Sequence, residues 1–145
     1  MFKTILVPLD GSKQAEAILS HVEQTARIHG SKVIFLKVEE DPFMLEWDEV
    51  VDISSCRSEF EQRTKQAGSY LSVLQKEFRA KGIDVHTQVA YGPVIKSISS
   101  AAEDVKADLI AMASHILSSR PWAPYGSVAV GLLQRVNCPL LLVRS

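Results

Sequence analysis

Five short apolar runs recur along this chain, and each is separated from the next by a stretch whose apolar residues fall at helical spacing. The runs cover 4–9, 32–38, 83–89, 109–113 and 139–143. Thr4-Ile5-Leu6-Val7-Pro8-Leu9 is apolar without alternation, as is the stretch from Val33 to Leu36. Continuous runs of that length read as strands covered on both faces. Ile83, Val85, Thr87 and Val89 instead alternate with Asp84, His86 and Gln88. Period two marks a half-exposed strand nearer a sheet edge. Strands that alternate with helices imply right-handed crossovers, a parallel sheet and helices on both of its faces.

The intervening segments carry matching helix signals. Over 13–29 the stripe is Ala15, Ile18, Leu19, Val22 and Ala26, and Gly30 supplies the stop. A long helix follows with Phe60, Ala67, Leu71, Leu74 and Phe78 on one face, closed by Lys81-Gly82. Gly92-Pro93 opens the next, with proline at its first turn and Ile95, Ile98, Ala102 and Val105 inward. The last helix places Val128, Leu132, Leu133 and Val136 inward. Between the second strand and the long helix, 39–56 has no clean period and is rich in carboxylates, so it is expected as an acidic loop or short helix.

With 145 residues and no break in composition, one domain with one core is expected over 1–145. The net charge of -1, from 16 basic and 17 acidic residues, gives no support for nucleic-acid binding. No apolar run is long enough to span a bilayer. Cys56 and Cys138 lie far apart without metal-ligand spacing, and no leader peptide is visible, so a reducing cytoplasm is expected.

The chemistry concentrates in two loops that follow strands. Asp10-Gly11-Ser12 ends the first strand with a tight turn. The segment Ser114-His115-Ile116-Leu117-Ser118-Ser119-Arg120-Pro121-Trp122-Ala123-Pro124-Tyr125 leads from the fourth strand into a helix at Gly126-Ser127. In doubly wound sheets, ligands sit beyond the carboxyl ends of the strands where the strand order reverses, and helix N-termini offer free amides to anions.

The opening Ile5-Leu6-Val7-Pro8-Leu9-Asp10-Gly11-Ser12, the pair Gly92-Pro93, the run Ala107-Asp108-Leu109-Ile110 and the ending Gly126-Ser127-Val128-Ala129 through Cys138-Pro139-Leu140-Leu141-Leu142-Val143 together resemble the universal stress protein family. The resemblance spans the whole chain. It implies a single Rossmann-like α/β domain of the adenine nucleotide alpha-hydrolase-like type, with a five-stranded parallel sheet of order 3-2-1-4-5 and helices on both faces. It also implies a homodimer paired through the last strand, Leu140-Leu141-Leu142-Val143. That strand would be a wholly apolar edge, which calls for a partner on independent grounds.

ATP-binding members of the family carry Gly-x2-Gly-x9-Gly-Ser after the fourth strand. Counting back from Gly126-Ser127, the first two glycines fall at Ala113 and Ile116, and the basic residue often found next falls at Leu117. The resemblance places the nucleoside on Asp10 and the backbone of Val38, and the phosphates on Gly126, Ser127 and Val128, with Ala113 and His115 in the connecting loop. Ile116 matters most among the changes, because a β-branched residue resists positive φ and would crowd a phosphate. Pro121 and Pro124 remove two amides, while Arg120 adds a cation suited to phosphate.

Each of these residues also has a purely structural reading. Asp10 would cap a turn, and Ser127 would cap its own helix. Arg120 would be solvated, and Trp122 and Tyr125 would pin the loop by packing. His115 has no companion nucleophile, acid or metal ligand, so no catalytic residue is assigned and at most a slow ATPase is expected. The carboxylates of 39–52 lack the spacing of a calcium loop. The expected function is a cytoplasmic stress-response regulator that binds ATP, ADP or AMP, with no metal beyond nucleotide-associated Mg. The alternative is a relative that has lost the nucleotide and works through protein contacts.

Overall fold

The computed structural model describes residues 2–39, 53–114 and 127–144. Five strands form one parallel sheet: β1 (Thr4–Leu9), β2 (Lys32–Glu39), β3 (Asp84–Tyr91), β4 (Leu109–Ala113) and β5 (Leu140–Val143). Their order is β3-β2-β1-β4-β5. β1 is central, with Ile5 opposite Val33 on one side and Leu109 on the other, and Leu6 opposite Ile34 and Ile110. Ile5, Leu6, Val7, Phe35, Leu36 and Met112 have no exposed surface. The uninterrupted apolar runs are thus the interior strands, as sandwiching on both faces demands.

β3 is an edge, and the expected alternation holds only from Ile83 to His86, because the covering elements leave Thr87 in solvent and half-cover Gln88 and Val89 alike. Val85 is fully buried, whereas Asp84, His86 and Thr87 are exposed. β5 is the opposite edge, and its four apolar residues are only half covered or exposed.

Helices α1 (Leu19–His29), α2 (Ile53–Ala80), α3 (Val94–Asp104) and α4 (Ser127–Arg135) make the crossovers. The first apolar stripe begins as a 3-10 turn, Ala15–Ile18, that runs directly into α1. Ala15, Ile18, Val22 and Ala26 are buried as the stripe required. Gly30 ends α1 in the left-handed region at φ 63°, where its N–H reaches the carbonyl of Ala26. α2 buries Ala67, Leu71, Leu74 and Phe78, and Phe78 meets Phe35 edge-to-face at 5.1 Å. Lys81, just beyond α2, reaches Glu23 of α1 at 2.9 Å. Pro93 stands at the N-cap of α3, one residue ahead of the first turn. The acidic stretch 39–56 ends in regular structure at both sides, since Glu39 closes β2 and 53–56 belong to α2; its centre lies outside the described residues.

α4 differs from expectation in one respect. Val128, Ala129 and Leu132 are buried, but Leu133 is 60% exposed. One residue along a helix turns the side chain by about 100°, so Leu133 points away from the sheet that covers Leu132. Val130 shares this outward exposure.

Asp108 joins two ends of the chain that lie far apart in sequence. Its Oδ2 accepts from the Lys3 N–H at 2.7 Å and its Oδ1 from the Thr4 N–H at 3.0 Å, while its own N–H donates to the Thr4 carbonyl at 3.0 Å. Removing this carboxylate orphans two donors at the start of the central strand. Asp108→Ala is expected to lower stability by about 1–3 kcal/mol, read as a lower urea midpoint at unchanged slope.

Candidate functional site

The carboxyl ends of β1, β2 and β4 bring Asp10, Val38 and Ala113 to one end of the sheet. β1 is followed immediately by Asp10, whose Oδ1 accepts from both the Ser12 N–H (2.8 Å) and the Ser12 hydroxyl (2.6 Å). The Ser12 hydroxyl oxygen accepts in turn from the Ala15 N–H at 3.1 Å, capping the 3-10 turn. The capping role expected of this turn is therefore present, and it also fixes the carboxylate. Gly11 sits at φ 88°, a conformation that side chains rarely adopt, and a Cβ there would stand 3.6 Å from Lys37 Cε.

Val38 lies near the end of β2, next to Ala90 of β3, and is 7% exposed. Its side chain belongs to the core. Ala113 ends β4 and is fully buried, and the Ser114 N–H donates to the Val143 carbonyl at 2.9 Å. Ser127 opens α4. Val128 is 4% exposed and also packs into the core. His115, Arg120 and Gly126 lie outside the described residues, as do Ile116, Leu117, Trp122 and Tyr125. Among the described residues, no three His, Cys, Asp or Glu side chains gather as a metal site.

Beside Asp10 the structure opens a cleft of about 360 Å³ between the tips of β1 and β2 and the helix α2. Asp10, Gly11, Lys37, Glu39, Arg63, Gln66, Ala67 and Tyr70 line it. Lys37 pairs with Glu39, and Arg63 with Glu59 at 2.7 Å. The α2 wall was not anticipated from sequence. Its signal is present in outline: Arg63, Gln66 and Tyr70 recur at helical spacing alongside the apolar stripe, at the boundary between core and solvent.

Tyr70 is the unusual group in this wall. Its hydroxyl is buried and has no hydrogen-bond partner among the described residues. Burial, then the negative charges of Glu16 and Asp10, push its pKa above the ordinary value of 10.0. Because the folded value is the higher one, the stability this proton confers is intact below about pH 10 and is lost as pH rises past it. In an alkaline titration followed by phenolate absorbance, the Tyr70→Phe difference should show Tyr70 ionising only as the protein unfolds. A Tyr70 phenolate in folded protein near pH 10 would contradict this burial.

A parallel sheet of order 3-2-1-4-5 with its crevice at the β1–β4 reversal defines a doubly wound α/β domain. The chain belongs to the universal stress protein family, whose model matches residues 1–144. Universal stress protein MJ0577 of Methanocaldococcus jannaschii is 28% identical over 155 residues, covering 99% of this chain and 96% of the relative. Universal stress protein Sll1654 of Synechocystis sp. is 30% identical over 143 residues, covering 99% and 86%. The solved structure of MJ0577 superposes with a TM-score of 0.84 at 27% identity, over 100% of this chain and 97% of that one. A universal stress protein solved in complex with cAMP gives a TM-score of 0.72 at 19% identity, over 99% and 97%, a likeness of fold.

Proposed function

We propose that residues 1–145 work as one universal stress protein domain, a regulatory module of the stress response that binds an adenine nucleotide. The observation that carries this reading is the placement of Asp10. Its carboxylate is held by Ser12 at the end of the central strand, beside the strand reversal and at the mouth of a 360 Å³ cleft. Val38 lies one residue before the end of β2, Ala113 ends β4, and α4 begins at Ser127. The complex of a relative of the same fold with cAMP supports the same ligand class.

On this reading Asp10 accepts from the ligand's sugar hydroxyls and the Val38 backbone takes the base. The amides of Gly126, Ser127 and Val128 meet phosphate at the positive end of α4. Arg120 adds charge where Ala113 and Ile116 replace glycines. ATP, ADP and AMP are the candidate ligands, with magnesium only as a companion of the phosphates.

Calorimetric titration of nucleotide-free protein with each of the three should give saturable binding. Asp10→Ala should weaken it about tenfold or more, the equivalent of one charge-assisted hydrogen bond. Ser127→Ala should weaken ATP more than AMP. No heat from any of the three with folded, unoccupied protein would overturn the reading and leave the alternative of action through protein contacts.

A second observation favours self-association. Leu133, Val130 and Leu142 are 60%, 46% and 40% exposed, on α4 and on the edge strand β5. An apolar edge with open backbone groups invites a further strand. We infer a homodimer paired through Leu140, Leu141, Leu142 and Val143. Light scattering should report twice the 16.0 kDa chain mass, and Leu142→Lys should return it to the monomer. A monomeric parent protein would refute the pairing.

A further inference from the structure

The Tyr70 hydroxyl has no role in packing. The ring of Tyr70 rests against the core, a task phenylalanine would perform equally well without burying a polar atom. A buried hydroxyl without a partner destabilises a fold, and a native protein that retains one at a cleft invites a functional account. Two carboxylates stand near this hydroxyl. Glu16 raises its pKa by its charge and as a hydrogen-bonding neighbour, although no bond of ordinary geometry satisfies the hydroxyl, and Asp10 acts on it from the end of β1.

The charges around the cleft decide which part of a ligand belongs there. Asp10 and Glu39 line it, and Glu16 lies beside Tyr70. Both cations of the lining are already matched, Lys37 by Glu39 and Arg63 by Glu59. Among the described residues of the lining, a phosphate would find no cation without a carboxylate beside it. A neutral hydroxylated group meets a carboxylate that accepts and a phenol that both donates and accepts. The hydroxyl is out of contact with solvent, so an entering group must part the side chains around it. Lys37, Arg63 and Gln66 line the same cleft on long, rotatable stems.

We propose that Tyr70, on α2, is a direct ligand contact whose hydroxyl hydrogen-bonds the sugar hydroxyls of the bound nucleotide beside Asp10. The sugar then faces α2 and the phosphates run towards the start of α4. This rests on the nucleotide reading above and adds to it a wall of the site that the strand tips and α4 do not supply. It also makes the site selective for a nucleotide that keeps its sugar hydroxyls.

The test compares wild type and Tyr70→Phe, each titrated with ATP and with 2′,3′-dideoxy-ATP, alongside the melting temperature of the ligand-free proteins. Tyr70→Phe should lower ATP affinity about five- to tenfold, the loss of one hydrogen bond. It should leave dideoxy-ATP affinity as in wild type, and the ligand-free protein should melt at the same or a higher temperature. Equal losses for both nucleotides, or an unchanged ATP affinity, overturn the assignment while the nucleotide reading stands. A lower ligand-free melting temperature with ATP affinity retained also overturns it, since the hydroxyl would then be partnered by Glu16 within the fold. Failure of wild type itself to bind ATP removes the nucleotide reading and this contact with it.

Discussion

The structure depends on the complete burial of β1 between two parallel neighbours. Ile5, Leu6 and Val7 lose all contact with water, and their partners on both sides are themselves apolar and buried. Each such side chain contributes roughly 1.5–3 kcal/mol by leaving water. A strand covered on both faces and on both edges has no freedom to slip in register. That rigidity passes to Asp10, the first residue beyond the strand. At the other end, the Asp108 carboxylate receives the backbone of Lys3 and Thr4. The central strand is therefore anchored where it enters the sheet, and the candidate site is built where it leaves.

Beyond β1, satisfied and unsatisfied polar groups divide the labour. The Asp10–Ser12 turn is a local network: one carboxylate oxygen serves two donors, and the serine oxygen caps the following turn. Such a network holds a charge in place at little expense. Tyr70 across the cleft is the opposite case, a buried donor left open.

On the proposed reading Ala113 and Ile116 stand on the phosphate side of the site, and the strand tips and the α2 wall carry its polar groups. Ala113 is fully buried at the end of β4 and fits the sheet without strain. The exposed Val130, Leu133 and Leu142 belong to α4 and β5, on the far side of the strand reversal from α2. A subunit contact there and ligand entry beside α2 would not compete for the same surface.

The apolar runs determined the five strands, and their patterning distinguished buried from edge strands, because a side-chain period is a direct record of which faces meet water. Pro93 and Gly30 marked helix ends through backbone geometry that no tertiary contact is needed to explain. Asp10, Val38, Ala113 and Ser127 were legible as occupants of strand and helix ends for the same reason. What depended on distance through space was not legible. Asp108 meets Lys3 and Thr4 across more than a hundred residues, and Lys81 meets Glu23 across two elements. Leu133 continued a helical stripe in the sequence, yet the sheet beneath α4 covers only Val128, Ala129 and Leu132. Tyr70 looked like one more residue flanking an apolar stripe. Only the packing of α2 against β2 and β3 closes its hydroxyl off from water and sets it near two carboxylates, because desolvation is a property of assembled surfaces and not of any one segment.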